Sequence, residues 1–430
     1  MLDKKYEFLI VGSGAGGATL ARELSQRGKE VLVLEQGKLQ TKLGTFGDSL
    51  RYFDIKSKLY PLPVTSKEGV IVWRTFQAGG TTVVSCGNGV RCLEKELAER
   101  GVDVSAELDE VVAESKTAPI AESLLSPGAH ALRDAAQSLG YRLDNMPKFV
   151  NPGLCQRCGV CVMGCRHGAK WTAVKALNQA RQGGAEVLYE TKVQNVVVRA
   201  GRAVGVDAIS GGAQRRIYAD AVVLAAGGIG TPVLLQRAGL AEAGQALFVD
   251  LLVNVYGITK GLNLVKEPTM SLVDLEFHDD KGFLLSPYVN HSRPVRFTEA
   301  GVPGFLLPTD KLLGLMVKTR DEMVGRVYPD GSFSKPVTPA DRKRLDEGAA
   351  IAKEILVKAG ADAKSLMVSR VQGAHPGGGA AIGSVVDQHL QTKVDNLFVC
   401  DASALPVTPG LPPILTITAL AKHLAKELSG

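Results

Sequence analysis

The sequence predicts an α/β fold in which a Rossmann-like, dinucleotide-binding domain is combined with a smaller α+β domain. Three stretches support this prediction. Residues 6–35 and 220–240 each read as a strand, a glycine-rich turn and a helix, and residues 394–428 as a strand, a proline-rich loop and an amphipathic helix. The length of 430 residues suits two or three domains, and 45% hydrophobic with 22% charged residues are typical of a globular protein.

The first stretch has the complete pattern of a nucleotide-binding turn. A short apolar strand at residues 6–11 precedes G-x-G-x-x-G, formed by Gly12, Gly14 and Gly17, and the next strand ends on Glu35. Gly12 allows the tight turn, Gly14 lets the backbone approach a pyrophosphate, and Gly17 lets the helix pack on the strand. The helix N-terminus offers N–H groups to phosphates, and Glu35 lies where an acid binds the ribose hydroxyls. The motif disfavours a 2′-phosphate but does not separate FAD from NAD.

Composition and charge exclude several classes of protein. The net charge is only +6, and lysines and arginines are spread along the chain, so no nucleic-acid partner is predicted. The N-terminal residues contain neither a basic-then-apolar signal segment nor a twin-arginine pair. No apolar run approaches the ~18 residues that span a membrane, so no transmembrane segment is predicted and the cytoplasm is the expected location.

Three stretches, together with the first turn, resemble the glucose–methanol–choline (GMC) family of FAD-dependent oxidoreductases. They are QAGGTTVVSCGNGVR at residues 77–91, the turn at 220–240, and the DAS motif within 394–428. The resemblance implies an FAD-binding domain of GMC type beside a smaller α+β substrate-binding domain. It adds these cofactor contacts: Gly79, Gly80, Thr81, Ser85, Asn88, Val193, Ala226, Asp401 and Ala402.

The loop GAHPGGGAAIG at residues 373–383 resembles the active-site loop of that family, and His375 matches its catalytic histidine. Oxidation of an alcohol releases a hydride, which a flavin accepts, and a proton. An imidazole whose pKa lies near the working pH can accept that proton. The alternative is a histidine that caps or packs a glycine-rich loop.

One departure from the family pattern concerns the partner of His375. The family's second histidine or asparagine is missing, because Pro412 stands at that place and has no polar side chain. Three alternatives follow: His375 works alone, a polar group of the substrate-binding domain joins it, or the reaction is not a simple alcohol oxidation. Asn290 and His291 are candidates for that group, although a surface loop is the expected setting for both.

Four of the seven cysteines fall within the segment CQRCGVCVMGC: Cys155, Cys158, Cys161 and Cys165. The spacing C-x2-C-x2-C-x3-C is that of bacterial ferredoxins and predicts a [4Fe-4S] cluster, with zinc and metal-free structural thiols as alternatives. In two-cluster ferredoxins the fourth cysteine binds the other cluster, and the GC..GAK turn here also resembles a structural element of the GMC family. The fourth ligand is therefore Cys165 in a different geometry, or a distant thiol such as Cys86 or Cys92.

The order of these motifs predicts how the domains are assembled. We expect the FAD-binding domain to be discontinuous, and residues 106–149 to form a connecting helical segment. The expected pieces of the FAD-binding domain are residues 1–105, 150–240 and 373–430. Residues 241–372 remain for the substrate-binding domain, which is short for the family.

Within residues 241–372 the pattern predicts strands followed by one long helix. The segments LFVDLLVNVYGITKG, MSLVDLEFHDD and KGFLLSPYVN are read as strands separated by turns. Residues 338–361 are read as a helix that Thr338 caps, with Pro339 in its first turn. A sheet with one covering helix is therefore expected.

Together these observations predict an FAD-dependent dehydrogenase that oxidises a CH–OH group by hydride transfer to flavin. The predicted cluster offers a one-electron exit, so a protein or a quinone is the expected acceptor, and a hetero-oligomer would be compatible with it. The alternatives are a reductase of C=O or C=C bonds fed through the cluster, and an electron-transfer subunit of a larger complex. The substrate is not identified, because the pocket lies in the least recognisable third of the chain.

Overall fold

A computed structural model describes residues 5–56 and 62–429. Over these residues the helices α1 to α11 are, in chain order, Ala15–Gln26, Phe46–Ser49, Glu94–Ala98, Ser105–Ser115, Pro127–Ser138, Ala173–Gln182, Gly227–Arg237, Glu276–Lys281, Arg293–Leu306, Pro339–Lys358 and Ile414–Glu427. The strands β1 to β10 are Tyr6–Val11, Val31–Leu34, Ile71–Val72, Ala118–Pro119, Asp144–Asn145, Pro147–Lys148, Glu186–Leu188, Thr191–Arg199, Arg202–Ser210 and Ala213–Leu224. The strands β11 to β19 are Leu251–Ile258, Leu272–Val273, Phe283–Pro287, Leu312–Thr319, Arg326–Val327, Phe333–Ser334, Met367–Val368, Gln372–Gly373 and Leu397–Val399.

The first sheet is built around the N-terminal turn. Its parallel strands run in the order β7-β2-β1-β10-β19, and α1 connects β1 to β2. Strands β9 and β8 extend β10 as an antiparallel ribbon. Helix α1 packs against α6 and α11, and β1 and β2 are buried almost throughout, which explains their continuous apolar runs. This architecture confirms the predicted α/β class with a Rossmann-like domain.

The second sheet, with its covering helix, corresponds to the smaller α+β domain that the sequence predicts. Its strands run in the order β13-β14-β11-β18-β3, with β17 also paired to β11. One face packs on α10, where a Cβ at Gly348 would lie 2.3 Å from Cγ1 of Val317. Helix α10 begins with the capping box that Thr338 and Asp341 form, so the predicted helix start is confirmed.

Two local features differ from the sequence-based expectations. The segment MSLVDLEFHDD contains only the two-residue strand β12 and then helix α8, so the prediction of a strand throughout was wrong. Helix formation is favoured because Asp274 Oδ1 accepts a hydrogen bond from the N–H of Phe277, 3.1 Å away, and Gly282 ends the helix at φ +75°. Strand β3, from the N-terminal third of the chain, joins the second sheet rather than the first.

Two further features of the fold are the elements within residues 106–149 and the length and apolar character of the helices. Residues 106–149 contain most of α4, all of α5 and the two-residue strands β4, β5 and β6, and their role as a connecting segment stays a prediction. Among the helices of the described residues, none combines the length and the apolar character needed to cross a membrane.

Candidate active site

A cavity of about 650 Å³ is lined by residues of both sheets. The carboxyl ends of β1, β2 and β10 form one part of its wall, and one face of β11 and β14 forms another. Every residue predicted to contact a cofactor or to act in catalysis lines this cavity except Gly17, Gly79 and His291, whose Nε2 instead lies 3.3 Å from the carbonyl oxygen of Leu264. The residues that line it are Gly12, Gly14, Glu35, Gly80, Thr81, Ser85, Asn88, Val193, Ala226, His375, Asp401 and Ala402.

The glycines of the first turn have distinct steric reasons to be glycine. Gly12 has φ +101°, and a Cβ there would lie 2.3 Å from the carbonyl oxygen of Ala225. A Cβ at Gly17 would lie 2.0 Å from the carbonyl oxygen of Gly12, so Gly17 permits close packing although it does not line the cavity. Gly14 has free space around it, and its backbone borders the cavity. The turn is therefore open to a ligand on one side and tightly packed on the other.

Glu35 holds the turn from the neighbouring strand. Its carboxylate accepts hydrogen bonds from the N–H and Oγ–H of Ser13, at 3.1 and 2.7 Å, and from the N–H of Gly37 at 2.7 Å. Burial raises the pKa of this carboxyl, while the three hydrogen bonds oppose that rise. The predicted contact of Glu35 with a ribose stays a prediction.

Asp401 ties the C-terminal turn to the start of α7. One carboxylate oxygen accepts hydrogen bonds from the N–H of Gly227 at 2.7 Å and from Thr231 Oγ1 at 2.5 Å. The other oxygen accepts the N–H of Ser403 at 2.8 Å. Burial raises the pKa of Asp401 against these hydrogen bonds. The carboxylate thus shapes the cavity wall that Ala226 and Ala402 present.

Buried polar groups without a partner indicate that the part of the cavity around Thr75 and Gln77 binds a ligand. The side-chain amide of Gln77 and the hydroxyl of Thr75 line the cavity and are buried, and neither has a hydrogen-bond partner among the described residues. Buried polar groups in native proteins are rarely left without a partner. A ligand with donors and acceptors, beside an open glycine turn, would satisfy them, so these residues fit FAD.

His375 lies in the cavity and is held by an acid from another part of the chain. Its Nδ1 is 2.9 Å from Oδ2 of Asp250, which is fully buried. An ionised carboxylate can only accept a hydrogen bond, so Nδ1 carries the proton and Nε2 keeps its lone pair. Burial lowers the pKa of His375, Lys318 lowers it further, and Asp250 raises it. The imidazole is therefore oriented and biased toward its neutral form.

The position of Asp250 is itself fixed by several groups. Its other oxygen, Oδ1, accepts hydrogen bonds from Thr408 Oγ1 at 3.1 Å and from the N–H of Gly410 at 3.0 Å. Its backbone N–H donates to Asp321 Oδ1 at 2.8 Å, and Asp321 in turn pairs with the buried Lys335 at 2.9 Å. The sequence reasoning missed Asp250, because 125 residues separate it from His375.

The face of the second sheet that lines the cavity is markedly polar. Glu299 of α9 is buried beside this face and accepts a hydrogen bond from the hydroxyl of Tyr256 at 2.6 Å, and burial raises its pKa to about 7. Tyr288 and Asn290 lie beside it and also line the cavity. The expectation that Asn290 lies on a surface loop was wrong, since this residue is only 4% exposed. Pro412 lines the cavity as well and adds no polar group.

The predicted metal ligands lie together on one loop outside the cavity. Cys155, Cys158, Cys161 and Cys165 are half-buried free thiols. The structure gives no support to the predicted cluster: among residues 5–56 and 62–429, no group of three or more His, Cys, Asp or Glu side chains is arranged to hold a metal ion. Burial raises the pKa of Cys155.

The cysteine loop is nonetheless adjacent to the cavity and to two buried lysines. Val162 and Met163, within the loop, line the cavity. Lys170 Nζ donates to the carbonyl oxygens of Val83 at 2.9 Å and Cys161 at 3.2 Å. Lys148 Nζ donates to the carbonyl oxygen of Cys86 at 3.0 Å. No carboxylate pairs with either lysine within the described part of the chain, and burial lowers both pKa values.

Comparison with curated proteins places these features in a known family. The chain is 29% identical to protein MJ1450 of Methanocaldococcus jannaschii, with 98% of this chain and 100% of the relative aligned. It is 28% identical to the GMC-type oxidoreductase Rv0492c of Mycobacterium tuberculosis, over 97% of this chain and 75% of the relative. It is 24% identical to long-chain-alcohol oxidase FAO3 of Arabidopsis thaliana, over 99% of this chain and 68% of the relative.

Solved structures show the same fold. Pyridoxine 4-oxidase from Mesorbium loti superposes with a TM-score of 0.73 at 17% identity, covering 98% of this chain and 99% of the other. A formate oxidase superposes with a TM-score of 0.74 at 16% identity, covering 100% of this chain and 98% of the other. Models of the GMC oxidoreductase family match residues 6–265 and 326–421. The chain therefore belongs to the GMC oxidoreductases, an FAD-dependent family, and the cavity is its candidate active site.

Proposed function

We propose that the protein is an FAD-dependent dehydrogenase that oxidises a CH–OH group, with His375 as the base that accepts the hydroxyl proton. The pairing of His375 Nδ1 with Asp250 at 2.9 Å carries the proposal, because it directs a neutral Nε2 toward the cavity. When bound, the flavin of FAD supplies the hydride acceptor. The names of two kinds of relative, long-chain-alcohol oxidase and cholesterol oxidase, agree with an alcohol as the substrate.

Two regions of the chain have different roles in the proposed reaction. We propose that residues 1–105, 150–240 and 373–430 hold FAD, with Gly12, Gly14 and the other predicted contact residues against it. Residues 241–372 supply Asp250 and the polar sheet face that the substrate meets. Asp250 stabilises the imidazolium that forms once His375 has taken the proton.

Anaerobic stopped-flow spectroscopy of the FAD-loaded protein tests this proposal. A panel of alcohols is mixed with the oxidised enzyme, and loss of flavin absorbance is followed. At least one alcohol is expected to bleach the flavin, and His375→Asn should slow that bleaching by about 10²–10⁴-fold while FAD remains bound. Bleaching at an unchanged rate in His375→Asn would remove the histidine from the mechanism.

We propose, second, that the loop of Cys155, Cys158, Cys161 and Cys165 binds a [4Fe-4S] cluster. This proposal rests on the ferredoxin spacing of four free thiols alone, because the side chains of the described residues are not arranged around a metal ion. Such a cluster, when bound, would supply a one-electron exit to a protein or quinone acceptor.

Anaerobic purification followed by iron and sulfide analysis tests the cluster. We expect four irons and four sulfides per chain, and their loss in Cys161→Ser but not in Cys400→Ser, which changes a cysteine buried at the end of the first sheet. A protein that contains FAD but neither iron nor sulfide, and that consumes oxygen rapidly with an alcohol, would instead be an oxidase.

A further inference from the structure

Two buried polar side chains of the second sheet line the cavity, and neither makes a side-chain hydrogen bond with another described residue. Asn254 on β11 and Lys318 on β14 both line the cavity, where they are 1% and 2% exposed. The register pairs Leu252 with Lys318 and Asn254 with Met316. Asn254 and Lys318 are therefore diagonal neighbours on one face of the sheet, a separation that long side chains bridge.

The amide of Asn254 lacks a partner on both of its atoms. Neither Nδ2 nor Oδ1 has a hydrogen bond within the described chain, although the backbone N–H of Asn254 donates to Ser369 Oγ at 2.9 Å. An amide needs acceptors for its nitrogen and a donor for its oxygen. A buried amide without either is costly, so its presence beside the catalytic histidine indicates a ligand that supplies both.

Lys318 presents its side-chain nitrogen to the same space, and burial lowers the pKa of this lysine while Asp250 raises it. Its Nζ lies 3.8 Å from Asp250 Oδ2, the oxygen that also accepts from His375, and it donates no hydrogen bond to any described residue. Lys318 and His375 therefore both approach Oδ2 of Asp250, and both residues line the cavity.

On the basis of the proposed alcohol oxidation, we infer that the substrate is a polyhydroxylated alcohol, in which a second hydroxyl binds Asn254 and Lys318. A hydroxyl both donates and accepts, so it can satisfy Asn254 Oδ1 while accepting from Lys318 or Asn254 Nδ2. A carboxylate would leave Asn254 Oδ1 without a donor, and it would meet the buried acid Glu299 on the same cavity wall. A long aliphatic alcohol or a sterol would leave all of these groups unsatisfied.

Asn254 and Lys318 thus distinguish this chain's expected substrate from those in the names of its long-chain-alcohol and cholesterol oxidase relatives. A site built to hydrogen-bond a hydroxyl discriminates strongly against an analogue that lacks it, because the polar groups of the site are then left unpaired. Selectivity for a second hydroxyl is therefore expected from the Asn254 amide, which has no hydrogen-bond partner among the described residues, and from Lys318 beside it.

A matched series of alcohols tests the inference: 1-propanol, 1,2-propanediol, glycerol, 1-dodecanol and cholesterol. With the FAD-loaded protein, kcat/KM for glycerol should exceed that for 1-propanol by at least about 100-fold. Asn254→Leu should reduce this ratio by about tenfold or more, whereas Asp274→Asn, which changes a buried residue that does not line the cavity, should leave the ratio unchanged. A preference for 1-dodecanol, cholesterol or 1-propanol, with bleaching that still depends on His375, overturns the inference and leaves the proposed function standing.

A binding measurement separates the inference from a failure of the proposed function. If no alcohol bleaches the flavin, the proposed function fails, and the flavin difference spectrum with glycerol decides the inference alone. A spectrum that glycerol perturbs and 1-propanol does not, and that Asn254→Leu abolishes, supports the polyol site. A spectrum that glycerol leaves unchanged overturns it.

Discussion

Replacement of Asp250 by asparagine is the sharpest test of the proposed base. The side chain keeps its shape, and its amide oxygen can still accept from His375 Nδ1, so the change removes mainly the negative charge. For unit charges 2.9 Å apart and an effective dielectric constant of about 20, the lost attraction to the imidazolium is at most about 6 kcal/mol. Because Lys318 already offsets part of that charge from 3.8 Å, we expect the limiting rate of flavin reduction to fall by about 10²–10⁴-fold.

The pH profile distinguishes a catalytic effect from a structural one. Proton acceptance requires neutral His375, so the rate of flavin reduction should rise with pH through the pKa of this histidine. That pKa lies below the usual histidine range in the wild type, chiefly because of burial. Asp250 raises the pKa of His375, so Asp250→Asn should lower it. The low-pH limb of the rate profile, where the rate rises with pH, should then move to lower pH, and the rate on the high-pH plateau should fall.

The assay is anaerobic stopped-flow reduction of bound FAD at saturating alcohol over a range of pH. Asp274→Asn, which changes another buried aspartate that caps α8, serves as the control and should leave both the plateau and the limb in place. A plateau within about threefold of wild type, or a limb that moves to higher pH, would refute the role assigned to Asp250.

Three further predictions concern binding and stability. Gly12→Ala places a Cβ 2.3 Å from the carbonyl oxygen of Ala225 and is expected to abolish FAD absorbance in the purified protein. A variant that still binds stoichiometric FAD would contradict the proposed binding of FAD at the first turn. Gly348→Ala places a Cβ 2.3 Å from Val317 and should lower the free energy of unfolding by about 1–3 kcal/mol, measured by urea titration. Glu299 has a pKa raised to about 7, so it binds a proton more readily when folded. The stability it contributes is present at low pH and lost as pH rises through about 7. Glu299→Gln should therefore flatten the fall in unfolding free energy between about pH 4.5 and 7, and an unchanged slope would exclude this residue as its source.

The glycine turn and the elements beside it were predictable because their conformation depends on residues that are close together in the sequence. The turn of Gly12, Gly14 and Gly17 is a local backbone conformation that only a few residue types permit, and the strand and helix beside it follow from periodicity over short windows. The start of α10 was predicted for the same reason, since the capping box of Thr338 involves residues three apart. The segment around α8 failed because a short apolar run can form either a strand or a helix, and the cap of Asp274 decides between them.

The sequence by itself determined the α/β class, the family, the glycine-rich turns of the first sheet and the candidate base. Tertiary structure alone decided what surrounds that base. Asp250 contacts His375 although 125 residues separate them in the sequence. Asn254 and Lys318 become neighbours only through the register between β11 and β14. Local patterns record the conformation of the chain, whereas the chemistry of a pocket depends on which distant strands pair and which of their faces the fold encloses. This is why the missing partner at Pro412 was visible in the sequence, while the polar groups of the second sheet were not.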